Sequence, residues 1–180
     1  MIRRQMSRVN MKKILFSAFF LAACAGSDEY PEYVPLDISK LSYTTKQSVP
    51  VSAFKYIGLE ENKDRKSIKE FIGVDPVQTE WCAAFVNAVL EENNIKTSAV
   101  VSNYPLMARS FLSWGEKVDD PKLGDIVVFE RGEDGWTGHV GFFIEERGNQ
   151  YLVFGGNQDD KITFKEYPKN KLLGIRRYKT

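Results

Sequence analysis

Three polar residues, far apart in the chain, could together transfer an acyl group: Cys82, His139 and Asn157. A thiolate attacks a carbonyl carbon. An imidazole takes the thiol proton and returns it to the leaving group, and a polar side chain holds the ring in one tautomer. Cys82 opens the run Cys82-Ala83-Ala84-Phe85-Val86-Asn87, in which Ala83, Val86 and Leu90 recur at helical spacing with Phe85 and Val89 beside them. That pattern predicts a helix buried over most of its surface. A thiol in the first turn lies near unpaired N–H groups and the positive end of the helix dipole, both of which favour thiolate. A small buried core cysteine is the plainer alternative. His139 is the only histidine and follows Gly135, Thr137 and Gly138 at the start of a predicted strand. Gly155-Gly156-Asn157-Gln158 follows the next strand. On a hairpin the end of the second strand lies beside the start of the first, which predicts that Asn157 reaches His139.

The elements that must position these groups are readable from periodicity. Short helices are expected over Ala53 to Leu59, over Ser67 to Gly73 with Ser67 as N-cap, and over Leu106 to Trp114. In the last of these, Leu106, Met107, Phe111 and Trp114 are read as core. The Cys82 helix should end at Asn93-Asn94. After Pro121 the pattern turns to short apolar runs: strands at Ile126 to Phe129, Val140 to Ile144 and Tyr151 to Phe154, the last two joined by the Arg147-Gly148-Asn149 turn. Lys161 to Glu166 and Leu172 to Arg177 complete the set. Helices first and an antiparallel meander afterwards predict an α+β fold.

The 180 residues suffice for one domain with a real core, and a net charge of +1 gives no global field for nucleic acid. Only two cysteines are present. Cys24 falls in a processing segment, so the folded part has no second cysteine for a disulfide, and too few cysteine and histidine ligands for a zinc site. No metal or cofactor is expected. Residues 1–23 have the form of a signal segment, with Arg3, Arg4, Arg8, Lys12 and Lys13 before an apolar run from Ile14 to Ala23; Met1, Met6 and Met11 are alternative starts. Residues 24–50, with Pro31, Pro35 and Pro50, read as a tether spanning about 25–30 Å as a coil. Residues 51–180 would form the domain.

Leu21-Ala22-Ala23-Cys24 resembles the bacterial lipobox, which implies lipidation of Cys24 and a membrane anchor. Residue 25 is alanine rather than aspartate, and the resemblance to lipoproteins of Gram-negative bacteria then implies the outer membrane, facing the periplasm. The domain itself resembles the NlpC-type and CHAP-type cysteine peptidases and amidases of peptidoglycan. The matching pieces are Trp81-Cys82-Ala83-Ala84-Phe85-Val86-Asn87, Ala108 to Gly115, Pro121 to Phe129, Gly138-His139-Val140-Gly141-Phe142, Gly155-Gly156-Asn157-Gln158 and Leu172-Leu173-Gly174. The resemblance implies a papain-like fold, with helices packed on a small antiparallel sheet. It implies Cys82 as nucleophile, His139 as base and then acid, and Asn157 at the third position. The Cys82 backbone N–H would be one oxyanion donor, with Gln78, Thr79 or a backbone group before Trp81 as the second. Trp81 would pack rather than wall the groove, and Asp125 would shape the start of a strand. Lys165, Lys169, Lys171, Arg176, Arg177 and Lys179 would form a solvated face. The expected activity is hydrolysis of a peptidoglycan amide bond, in a stem peptide or at the sugar–peptide junction, by a monomer. A peptidoglycan-binding lipoprotein without turnover and an antibacterial toxin or lysin are the alternatives.

Overall fold

A computed structural model describes residues 49–179; the expected signal segment 1–23, the expected lipidation site Cys24 and nearly all of the expected 24–50 tether lie outside the described residues. The described chain begins with α1 (Val49–Ser52) and a 3-10 turn, Ala53–Tyr56. Helix α2 (Arg65–Ile72) follows, and its C-cap Gly73 sits in the left-handed region at φ 76°. The expected N-cap Ser67 is inside this helix. Asp64 takes the cap position and accepts from the Glu60 N–H at 3.0 Å.

Helix α3 (Cys82–Glu92) is the structural centre. Cys82, Ala83, Ala84, Phe85, Val86, Val89 and Leu90 are all buried, as a helix apolar on most sides requires. Small residues in its first turn let the backbone approach the sheet closely. The segment after it is not the regular helix expected over Leu106 to Trp114 but a 3-10 stretch, Ala108–Ser113.

Among the described residues, six strands form one antiparallel sheet in the order β1-β6-β2-β3-β4-β5. They are β1 (Glu116–Val118), β2 (Ile126–Glu130), β3 (Gly138–Arg147), β4 (Gln150–Gly155), β5 (Thr163–Pro168) and β6 (Leu172–Arg177). The predicted meander is present as β2 to β5. β6 returns to pair with the outer side of β2, and the short β1, which has no apolar signature, edges the sheet. The fold is α+β, as expected.

Both faces of the sheet are covered. On the helix side, Phe85 of α3 meets Phe154 edge-on with ring centroids 5.5 Å apart. On the other side Val127, Phe129, Phe143, Tyr151, Val153 and Ile175 form a separate apolar cluster. Strands β2 and β5 are three steps apart, about 14 Å on a flat sheet. Yet Phe129 of β2 stacks on Tyr167 of β5 at 4.9 Å. The sheet must therefore curl strongly, and register shifts at Val128/Phe129 and Phe143/Glu145 supply local bends. Asp125 holds the start of β2 to the end of β6. Its carboxylate accepts from Arg177 Nε and Nη2 at 2.9 and 2.6 Å and from the Lys122 N–H at 2.7 Å. That is the strand-shaping role read from the sequence.

Candidate active site

Cys82 stands at the first position of α3, 3 % exposed. Backbone N–H groups of Ala83, in its own helix, and of Val140, in β3, point at the sulfur. Both favour thiolate, as the helix-start reading expected. Burial opposes them and is the larger effect, so the thiol is pushed up from its ordinary value. The expected thiolate is thus not the resting form, because the sulfur is desolvated more than two N–H dipoles can offset.

His139 opens β3 beside Val140, whose N–H meets the sulfur, and is 2 % exposed. Its Nε2 is 3.1 Å from Gln158 Oε1. Asn157 is not the partner. It takes a left-handed backbone conformation, φ 55°, and donates through Nδ2 to Glu80 Oε2 at 2.8 Å near the surface. That conformation turns the Asn157 side chain outward and carries the next residue in under the sheet. Gln158 is 1 % exposed. The hairpin logic was right about the segment and wrong by one residue.

The orientation of the Gln158 amide fixes the imidazole tautomer. Nε2 of Gln158 donates to the carbonyls of Val153 and Thr163, at 3.4 and 2.5 Å. Both of its hydrogens are thereby committed, and its oxygen must face His139. That oxygen only accepts, so the neutral ring carries its proton on Nε2, leaving the Nδ1 lone pair free as a base. A second constraint acts on the ring face. Tyr167 stacks on the imidazole with centroids 4.7 Å apart and planes 11° from parallel, and is itself backed by Phe129. Burial lowers the His139 pKa to about 4, with Gln158 opposing the shift and Arg131 and Lys165 adding to it. Imidazole and thiol are both neutral at pH 7.

The glycines around the site are there because a Cβ would not fit. A Cβ on Gly156 would lie 2.4 Å from the Trp81 ring and 2.7 Å from Phe85. One on Gly141 would lie 2.5 Å from Val153 and 2.8 Å from the Phe154 carbonyl oxygen. Trp81 is fully buried, with Nε1 donating to Glu61 at 2.9 Å; it packs, and forms the floor of the loop that delivers Gln158.

Two clefts reach the pair, one at each residue. One, about 550 Å³, reaches Cys82 and is walled by Leu106, Met107, Ala108 and Trp136. The other, about 480 Å³, reaches His139 and is lined by polar groups that include Asp159, Asp160, Lys165 and Tyr167. Arg131 borders both. Leu106 and Met107 are therefore cleft walls rather than the core residues expected, whereas Phe111 and Trp114 of the same segment are buried. Thr79 lines the cleft beside Cys82, and Gln78 is exposed in the turn before it. The late basic residues keep solvent contact, as expected, and four of them are paired. Lys165 pairs with Asp159, Lys169 with Glu146, Lys171 with Glu130, and Arg177 with Asp125.

A buried nucleophile at a helix start, a base at a strand start and an amide that fixes the ring now stand together. Residues 74–157 match the CHAP domain. The CHAP match includes Cys82 and His139 and stops one residue before Gln158. Helices packed on a curled antiparallel sheet make the α+β architecture papain-like, as a CHAP domain is. The match suggests a peptidoglycan hydrolase of the amidase or peptidase kind that depends on a cysteine and a histidine. No curated protein matches the chain. Gln158 had a signal in the sequence, being the next letter after Asn157. Tyr167, outside the CHAP match, had none, since its contact with His139 exists only because the sheet curls.

Proposed function

We propose that the protein is an exported cell-wall hydrolase that cleaves an amide bond of peptidoglycan through a thioester on Cys82. His139 acts as base and then acid, and Gln158, in place of Asn157, holds the ring. The observation that carries this reading is the buried His139–Gln158 bond, which leaves Nδ1 unprotonated on the strand whose next residue binds the Cys82 sulfur.

The neutral resting pair sets the order of events. As Cys82 Sγ bonds to the carbonyl carbon, its proton passes to His139 Nδ1. The new oxyanion meets the Cys82 N–H at the unpaired start of α3. The C–N bond then breaks, and the imidazolium gives its proton to the departing amine. Water, deprotonated by the same Nδ1, attacks the thioester; the products are a carboxylic acid and the free thiol. Gln158 keeps Nε2–H paired throughout, so the ring cannot flip between steps. The test is incubation of the protein with purified peptidoglycan and mass analysis of released fragments. Parent activity with none in Cys82→Ala is expected. Binding without release by either protein would instead establish a non-catalytic wall-binding module.

The same proposal places the protein in the bacterial envelope, lipid-anchored through Cys24 to the outer membrane and facing the periplasm. Support comes from the Leu21-Ala22-Ala23-Cys24 segment and from the location of the substrate. Cys24→Ser should move the protein from the membrane to the soluble fraction. An intact mass of the mature parent with no lipid would refute the anchor.

A further inference from the structure

The loop that brings Gln158 to His139 has an uncommon backbone. Asn157, Asp159 and Asp160, on either side of Gln158, all lie in the left-handed region, at φ 55°, 55° and 59°. Residues other than glycine adopt that conformation rarely, and a run of them persists only where its surroundings hold it. Within the loop, the Gln158 N–H donates to the Lys161 carbonyl at 3.1 Å. Further backbone support comes from residues 58–61, which precede α2 and lie outside the CHAP match. The Ile162 N–H donates to the Leu59 carbonyl at 3.0 Å, and the Gly58 N–H donates to the Ile162 carbonyl at 2.9 Å.

Glu61 holds this loop on both sides of Gln158. Its own N–H donates to the Asp160 carbonyl at 2.8 Å, two residues after Gln158. Its side chain acts two residues before Gln158, by way of Trp81. Glu61 Oε2 accepts from Trp81 Nε1 at 2.9 Å. Gly156 lies so close to that indole that a Cβ on it would be 2.4 Å from the ring. Trp81 is also the residue before Cys82, at the N-cap of α3. Glu61 follows a braced turn, in which the Glu60 N–H donates to Asp64 Oδ2 at 3.0 Å and the Asp64 N–H to the Glu60 carbonyl at 2.7 Å. The Lys161–Glu60 pair joins the same two segments at 3.1 Å, but near the surface, where an ion pair contributes little.

We infer that Glu61 is a positioning residue for the reaction: through the Trp81 indole on one side and Asp160 on the other, it sets where Gln158 meets Nε2 of His139. Glu61 lines neither cleft, so it acts through Gln158 and not on the substrate. The His139–Gln158 bond is 3.1 Å long and hangs on this one loop. Displacing a group by about 1 Å from its working position can cost as much as a hundredfold in rate, even when the change is far from the chemistry. The inference deepens the proposed function and rests on it.

The experiment is peptidoglycan turnover by the full-length protein and its variants, with kcat and KM separated and Tm measured alongside. Glu61→Ala removes the bond to the indole and leaves the backbone bond to Asp160, so kcat should fall about tenfold with KM within about twofold of the parent. Glu61 is half-buried, so water can reach the indole N–H and the variant should fold. Glu61→Gln keeps an acceptor at the same reach and should stay within about threefold of the parent kcat. In Gln158→Ala no side chain is left to position, so adding Glu61→Ala should lower kcat by less than about twofold. A purely structural Glu61 would lower kcat by the same factor in both backgrounds, and that result would overturn the inference. Parent kcat in Glu61→Ala, a loss confined to KM, or no recovery in Glu61→Gln would overturn it as well. If Glu61→Ala is unfolded at the assay temperature, Glu61→Asp, which keeps the charge and shortens the reach, carries the same comparison. Turnover by the parent together with an unimpaired Glu61→Ala overturns the positioning role alone, whereas no turnover by the parent overturns the hydrolase and the positioning role together.

Discussion

Replacing Gln158 by alanine tests the geometry at its most specific point. Two buried groups, His139 Nε2–H at 3.1 Å and the Val153 carbonyl, and the half-buried Thr163 carbonyl lose this partner. Each buried group left unpaired costs about 1–3 kcal/mol. Water entering from the polar cleft would recover part of this, leaving a loss of roughly 3 kcal/mol. For a domain of this size that lowers Tm by roughly 10–15 °C. The catalytic effect is separate. Without the amide oxygen nothing distinguishes the two tautomers, and the ring keeps only the Tyr167 stack. Turnover should fall ten- to a thousandfold, within the range of general acid–base contributions. Asn157→Ala removes a surface bond to Glu80 and one polar group from the wall of the His139 cleft, but nothing that touches the imidazole. It leaves alanine in a left-handed conformation at a cost of about 1 kcal/mol, and turnover should stay within about threefold. The assay is peptidoglycan turnover well below each variant's melting temperature, with Tm measured in parallel. Gln158→Glu keeps an acceptor at Nε2 and should recover part of the rate. A carboxylate there stabilises imidazolium, so the acid limb of its pH profile should move upward. An Asn157→Ala variant as impaired as Gln158→Ala, or a fully active Gln158→Ala, would show that the His139–Gln158 bond does not orient the base.

Other consequences follow from the burial of the pair. The Cys82 thiol, raised by desolvation, should show thiolate absorbance at 240 nm only above the ordinary thiol range, measured as parent minus Cys82→Ala; absorbance already present at pH 6 would mean a preformed ion pair. His139 has a folded pKa of about 4 against an ordinary 6.5, so between those values the unfolded chain binds more protons. Stability should be complete above about pH 6.5 and fall by roughly 3 kcal/mol on going down to pH 4. Denaturation of His139→Gln alongside the parent checks this: the variant should lack that component, and an identical slope in both proteins would refute it. Tyr167→Leu removes the ring stacked on His139, and water reaching the imidazole should raise the acid limb of kcat/KM toward pH 6 while Tyr167→Phe leaves it in place. An unmoved limb in Tyr167→Leu would reduce Tyr167 to packing.

Much of the site was legible because it is local. Cys82 declares itself through the helical spacing of Ala83, Val86 and Leu90. His139 does so through its place before a run of apolar strand residues, and the α+β order through the change of period after Pro121. Such patterns depend only on which side of a helix or strand is buried, and a sequence carries that directly. What the tertiary structure decided concerns contacts between elements. Asn157 and Gln158 are neighbours of similar chemistry, and only the left-handed backbone at Asn157 selects which of them enters the interior. The curl of the sheet, which no single strand encodes, brings Tyr167 onto His139. Leu106 and Met107 look like core by spacing, and become cleft walls because the segment after α3 forms a 3-10 stretch rather than a full helix. The ionisation of Cys82 illustrates the division most simply. Its position at the helix start is local and favours thiolate, whereas its burial under β3 is global, larger, and holds the proton on the sulfur.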